Sequence, residues 1–390
     1  MKKRILIYFK HIGFTLLFLG LMSCCAGFYL GAVVHYNQHP KMYDLNKDGP
    51  YVFYQNDSLL NLNYVRGNKK DGFFLESEVF PIDSVITKTC FFPLDSTYFR
   101  FEIKSEFEIP ASEYSDNNAI LAISDIEGGY KALRDFLVNN KVVDEKLNWT
   151  FGSGHLVFVG DFVDRGNSVT QVLWFIYKLE QDAKKQGGSV HYIIGNHELK
   201  NFQGKFESAS PKYYGISAIL GKIQHELYDS TSFLGRWMTS KNSMEIINGT
   251  IFVHGGIHPD IKKYNTTPTE INQLSRKNYY TSYFPKPIKT LEEFVISTHD
   301  GISWYRGYFN DDISQVAIDS VLDKFGAKSI VVGHTIQSKV KRRFNGKVIG
   351  IDVVHDKDYQ STWPTPVSEG LLIDGDLYYR VLESGKKIEI

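Results

Sequence analysis

Residues 12–34 form a run of 23 positions without a single charged side chain. About 20 apolar residues suffice to cross a bilayer as a helix. Lys2, Lys3, Arg4 and Lys10 precede the run, and positive charge ahead of a span predicts a cytoplasmic N-terminus with the rest of the chain outside the cytoplasm. A secretory signal has a shorter apolar stretch, ~7–15 residues, so an uncleaved anchor over residues 1–34 is preferred to a cleaved signal peptide. A lipoprotein reading rests on Leu21-Met22-Ser23-Cys24, and the ten apolar or small residues that follow Cys24 weigh against it. Residues 35–49 are polar and read as a linker.

Two patterns follow. In residues 50–115, β-formers alternate or cluster at 51–54, 60–65, 73–79 and 98–103, with turn residues at 67–72 and 95–96. This predicts an accessory β-rich unit, and no chemistry is legible in it. From residue 116 to 390, short apolar strands are predicted at 119–124, 155–160, 190–194, 250–253, 329–332 and 347–351. A helix is predicted at 130–139 and helical segments within 199–245. Thr267-x-x-Glu270, with Pro268 at the first helical position, and Thr290-x-x-Glu293 are capping boxes. Nearly every predicted strand ends in a cluster of Asp, Asn, His and Gly. Functional residues at the C-terminal ends of strands in an α/β sheet share one crevice. The expected fold is α/β: a two-sheet β-sandwich flanked by helices, with the site at one edge.

Composition narrows the function. Of 390 residues, 43% are hydrophobic and 23% charged, an ordinary globular balance that excludes wholesale disorder. Beyond residue 43 the chain holds 39 basic and 44 acidic residues, which argues against nucleic acid as a partner. Three cysteines, two of them inside the apolar run, exclude a disulfide scaffold and a thiolate zinc site.

The strand-end clusters are SDIEGG (124–129), GDFVDRG (160–166), GNHE (195–198), HGG (254–256) and GHT (333–335). Each alone is an ordinary turn sequence; five in order, each after an apolar strand, are not. Carboxylate, amide and imidazole donors without thiolate suit Mn, Fe, Zn or Mg. Two such cations ~3.5–4 Å apart clamp a phosphate and generate hydroxide at neutral pH. Asp161 sits between the other donors in sequence and suits a bridging role. Arg165, four residues on, matches phosphate geometry. His197 adjoins Asn196 and reaches the same site, where a general acid for the leaving oxygen belongs. His155, His191 and His299 read as strand-end or turn residues, and the 352–358 loop with His355 as a possible border of the site.

The order D-x-[HE]-G, GDxVDRG, GNHE, HGG, GHT resembles the calcineurin-like metallophosphoesterase superfamily, phosphoprotein phosphatase branch. FLGRWMTSKN (233–242), ISWYRGYF (302–309) and VVGHTIQ (331–337) are most similar to the Shewanella-like protein phosphatases. The resemblance covers about residues 119–385. It implies a metal-dependent phosphomonoesterase or protein phosphatase acting on a phosphorylated substrate, with two divalent metals, Mn foremost. Asp125 and Asp161, helped by residue 127, would hold one metal; Asp161, Asn196, His254 and His334 would hold the other. A metal-bridging hydroxide would attack phosphorus in line. His197 would protonate the leaving group, Asp164 would orient His197, and Arg165 and Arg306 would grip the phosphate. The family usually has His where this chain has Glu127; a carboxylate there can still ligate, and it hardens the site toward Mn or Mg. Ile336 follows GHT where many superfamily nucleases and nucleotidases carry a second His. That disfavours the alternatives, a phosphodiesterase or nucleotide hydrolase; a non-catalytic phosphate-binding module has only Glu127 in its favour.

Overall fold

The computed structural model describes residues 2–29, 34–310 and 313–390. Lys2–Tyr29 is one helix, and its stretch Arg4–Gly27 is long and apolar enough to cross a membrane, with none of it buried against the protein. The helix therefore begins earlier than the charge-free run, because Lys and Arg are good helix formers. Residues 30–33 of the expected span lie outside the described residues. Val34 already belongs to a strand: Val34–Gln38 pairs antiparallel with Gln360–Trp363.

Two six-stranded mixed sheets stack face to face. In spatial order, the first is Ser189–Ile193, His155–Val159, Ile120–Ile123, Glu369–Asp374, Leu377–Leu382 and Lys387–Glu389. Its first three strands are parallel, and the last three are added antiparallel. The second sheet is Lys341–Arg343, Val348–Gly350, Ser329–Val332, Thr250–Val253, Met244–Ile247 and Glu113–Tyr114. The period of two along a strand sends alternate residues to opposite faces. Ile120, Ala122, Val157, Val159 and Ile193 pack against Ile247, Phe252, Val331 and Ile349 between the sheets. Leu121, Ile123, Leu156 and Phe158 instead meet Leu133, Phe136, Trp174 and Phe175 of the helices Tyr130–Asn139 and Val169–Lys185. The second sheet is covered likewise by Ile271, Phe294, Ile318 and Leu322. Burial on both faces explains why these strands read as continuous apolar runs. Both expected segments start helices, and the second forms the full capping box. The Thr267 hydroxyl accepts from Glu270 N at the head of Pro268–Asn278, and Thr290 and Glu293 cap Leu291–Ile296 reciprocally.

Several strands lie outside the expected set. The 199–245 segment holds the helices Asn196–Phe202, Pro211–Ile219 and Phe233–Thr239, but ends in the strand Met244–Ile247. That strand turns back through Asn248 and Gly249, both at positive φ (51° and 81°), into Thr250–Val253. Asn-Gly between apolar runs is a strong hairpin signal.

Residues 51–103 form a three-stranded meander (Tyr51–Tyr54, Leu59–Asn68, Gly72–Pro81) and a hairpin (Ile86–Phe92 with Thr97–Ile103). Both pack on the Val169–Lys185 helix within one continuous hydrophobic cluster. Phe101 stacks on Trp174 with ring centroids 4.5 Å apart, Phe99 lies 5.5 Å from Phe175, and the Trp174 indole N–H donates to Pro50 O at 2.8 Å.

This shared core predicts that Phe101→Ala destabilises the whole chain by about 3–5 kcal/mol. Calorimetry should show one cooperative transition at a lower midpoint. A separate early transition would mean that the accessory strands melt on their own.

Candidate active site

The loops after four strands converge. Ile120–Ile123 leads into Asp125, His155–Val159 into Asp161, Thr250–Val253 into His254 and Ser329–Val332 into His334. Asn196 and His197 open the Asn196–Phe202 helix after Ser189–Ile193. Asp161, His254 and His334 each bring a ligand atom within 4.8 Å of the others, and all three are buried. His254 Nε2 lies 3.1 Å from Asp161 Oδ2 and 3.0 Å from Asn196 Oδ1, while its Nδ1 donates to Val159 O at 2.8 Å. Asp125 Oδ2 accepts from His334 N at 3.1 Å, joining the first sheet's loops to the second's.

The backbone is strained where the donors stand. Asp125, Glu127, Asp161, Asp164, Arg165 and His334 all have φ between 48° and 68°, a region costly for residues with a Cβ. A Cβ on Gly160, itself at φ 79°, would strike the His254 ring.

The His197 side chain is held from one side. Its Nδ1 lies 2.7 Å from Asp164 Oδ2, Asp164 Oδ1 accepts from Asn201 Nδ2 at 2.7 Å, and Nε2 points toward Asp161 Oδ2 at 3.8 Å. Burial works against charge on this imidazole, but Asp164 and Asp161 outweigh it and raise its pKa. Arg165 and Arg306 both line the same cleft, a cavity of about 520 Å³. Arg306 is anchored by its donation to His334 O at 2.6 Å.

Glu127 also lines the cleft, but its oxygens are engaged by cations: Arg165 at 2.5 Å and Lys357 at 2.6 Å. Lys357 belongs to the 352–358 loop, which does border the site. Asp352, Val353, Val354, His355 and Lys357 all line the cleft. His155 and His191 form a buried pair, 2.9 Å apart, capped by Asp116 and Glu245, and neither lines the cleft. His299 is exposed on the surface.

Three contributors escaped the sequence reading. Glu198, fully buried, accepts from Asp161 N, Phe162 N, Gly195 N and the Tyr192 hydroxyl at 2.8–2.9 Å. Its place in GNHE, third in a helix after a glycine, was the available signal. Lys357 and Asp352 lie on a loop whose charged spacing matches no motif.

The donor set fits divalent cations. It offers carboxylates, an amide oxygen and imidazoles, hard or borderline ligands without a thiolate. Burial, together with Asp161 and Glu127, pushes Asp125 up to about 7 despite the pull of His254. Burial and the same acidic neighbours push Asp352 well above the usual carboxylate range. Burial opposes charge on His254, yet Asp161 and Asp125 raise it to about 10. So concentrated an acidic pocket calls for compensating positive charge.

Two stacked mixed sheets carrying buried Asp, Asn and His at their strand ends define a metal-dependent phosphoester hydrolase. Residues 119–338 match the model of the calcineurin-like phosphoesterases, and the chain belongs to that family of enzymes. It is similar to Shewanella-like protein phosphatase 1 of Plasmodium berghei, 29% identical over 232 residues, which cover 57% of this chain and 62% of that one. It is 22% identical over 303 residues to Shewanella-like protein phosphatase 2 of Arabidopsis thaliana, covering 64% of this chain and 74% of the relative. The crystal structure of a cold-active protein-tyrosine phosphatase of a psychrophile Shewanella species superposes with a TM-score of 0.75. The two are 30% identical, over 88% of this chain and 98% of that one.

Two outcomes test this geometry. Asp164→Asn removes the nearest charge that sustains imidazolium, so the His197 pKa, read by NMR, should fall below its wild-type value. An unmoved pKa would mean that Asp164 does not govern it. Glu198→Ala leaves buried donors unpaired at ~1–3 kcal/mol each, and denaturant unfolding should register a loss of at least about 3 kcal/mol.

Proposed function

We propose that this protein is a membrane-anchored, metal-dependent phosphomonoesterase of the protein-phosphatase kind, its catalytic part on the extracytoplasmic side. The observation that carries the reading is the meeting of two constellations in one cleft. The buried Asp161–His254–His334 cluster lies beside the His197–Asp164 pair, with Arg165 and Arg306 on the same walls. The similarity to proteins named as phosphatases supports it.

Two divalent cations, held by Asp125, Asp161, Asn196, His254 and His334, with Glu127 joining them on exchanging Arg165 and Lys357 for metal, would activate water at neutral pH and offset the charge of the phosphoryl oxygens. Arg165 and Arg306 bind and orient the phosphate through paired guanidinium donors. His197, protonated and fixed by Asp164, delivers its Nε2 proton to the leaving oxygen. No nucleophilic side chain is required, so no phospho-enzyme forms. The hard donor set, with Glu127 where the family usually has an imidazole, favours Mn or Mg.

Because His197 acts as its protonated form, kcat/KM should fall as pH rises through its raised pKa. Asp164→Asn should bring that fall to lower pH. With p-nitrophenyl phosphate, the metal-stripped protein should regain activity steeply as Mn²⁺ is added. Asp161→Asn should abolish turnover, and His197→Ala should lower it by ~10²–10⁴-fold. A panel of phosphotyrosine, phosphoserine and phosphothreonine peptides, nucleotides and a diester should favour the phosphopeptides. Preference for the diester would overturn the monoesterase assignment, and full turnover by either variant would overturn the roles given.

A further inference from the structure

The strand pair Val34–Gln38 with Gln360–Trp363 ties the N-terminal helix to the mouth of the cleft. Val34 faces Trp363 across the pair. Gln360 and Thr362 of the same strand, with Pro366 just beyond, line the cleft. The helix ends at Tyr29. Five residue steps span at most ~18 Å of fully extended chain, so the cleft mouth cannot lie far from the helix end.

The ribbon is poor in charged side chains and carries exposed apolar ones. Residues 34–43 and 359–367 contain no carboxylate, and Lys41 is their sole charged side chain apart from two histidines. In the same short segments Tyr36 is 69% and Trp363 60% exposed, and Val34, Tyr43 and Val367 are exposed too. Single exposed apolar residues are unremarkable on any protein. Five on two adjoining segments, directly after a helix able to span a membrane, are not. Tyr and Trp favour the headgroup zone, where an apolar ring and a polar edge are both satisfied.

We propose that this ribbon seats on the bilayer surface through the face opposite Gln360 and Thr362, which holds the cleft close to the membrane to act on phosphoesters displayed there. The inference rests on the membrane-anchor reading above. It adds the orientation of the body and the class of substrate: phosphorylated groups held close to the lipid surface.

The five tryptophans supply the probe. Trp149, Trp174 and Trp237 are buried and Trp304 is partly so, which leaves Trp363 as the exposed one among the described residues. The full chain is reconstituted into phosphatidylcholine vesicles brominated near the glycerol end of the acyl chain. Brominated lipid should quench a component of the emission that Trp363→Phe lacks. On the same vesicles, a phosphopeptide tethered by a short spacer should be hydrolysed about tenfold faster than one on a long flexible spacer at equal density. Tyr36→Ser combined with Trp363→Ser should erase that preference while leaving p-nitrophenyl phosphate turnover unchanged.

Failure separates cleanly. A chain that does not float with vesicles overturns the anchor and this inference together. A chain that floats without Trp363-dependent quenching keeps the anchor and overturns the inference. Crosslinked dimers through Trp363 without quenching assign the face to a second copy instead. Absence of p-nitrophenyl phosphate turnover by the unaltered chain, with quenching intact, overturns the phosphatase reading and the substrate class, and keeps the seating.

Discussion

The Glu198 carboxylate is the tie on which the active site depends. It accepts hydrogen bonds from Asp161 N, Phe162 N, Gly195 N and the Tyr192 hydroxyl. These donors come from the ends of two paired parallel strands and the loops that follow them. Burial and the charge of Asp161 push its pKa up, while the amides donated from Asp161 and Phe162 favour its charged form. The geometry it imposes is specific. With the backbone at Asp161 and Gly195 fixed, Asp161 Oδ1 accepts from His197 N at 2.8 Å, and the imidazole is brought beside the buried cluster. A carboxylate that touches neither phosphate nor metal in this account thus sets the positions of those that would.

The second requirement is the junction between the sheets. His254 and His334 come from the second sheet, and Asp125 and Asp161 from the first. The aliphatic layer of Ile120, Ala122, Val157, Val331 and Ile349 fixes their separation. Interiors are packed too tightly for that spacing to drift. The polar links that cross the gap, His334 N to Asp125 and His254 to Val159 O, are short because the aliphatic layer holds the two strand ends in register. The left-handed backbone at Asp125, Asp161 and His334 is a cost this packing must outweigh.

Much of this was legible in the chain. The parallel core strands, the Tyr130–Asn139 helix and both capped helix starts stood out because their signals are local: apolar runs, helical period, Thr and Glu three apart. The five strand-end clusters were legible because chemistry concentrates rare residue types. What escaped depends on partners far away in sequence. Glu369–Asp374 is a strand because Ile120–Ile123 offers it an edge. Ile86–Phe92 was hidden by Lys88 on the face of Cys90 and Phe92 and by the threonines on its outer face. Lys357 meets Glu127 only because the loop after the second sheet folds back over the first. The hairpin at Asn248-Gly249 was within reach of local reasoning, since its turn residues are those that tolerate positive φ.

The order in which the chain supplies its strands has a consequence for biogenesis. Ile120–Ile123, central to the first sheet, finds its antiparallel neighbour only at Glu369–Asp374, and His334 arrives late as well. A ribosome that has made the first two thirds of the protein has therefore made a polypeptide with one exposed sheet edge and an incomplete Asp161–His254–His334 cluster. Contacts of such long sequence separation form slowly, and little of the centre can assemble ahead of the C-terminus. The cleft between the two sheets is consequently incomplete in the nascent chain. Its walls close only once the last strands have been made.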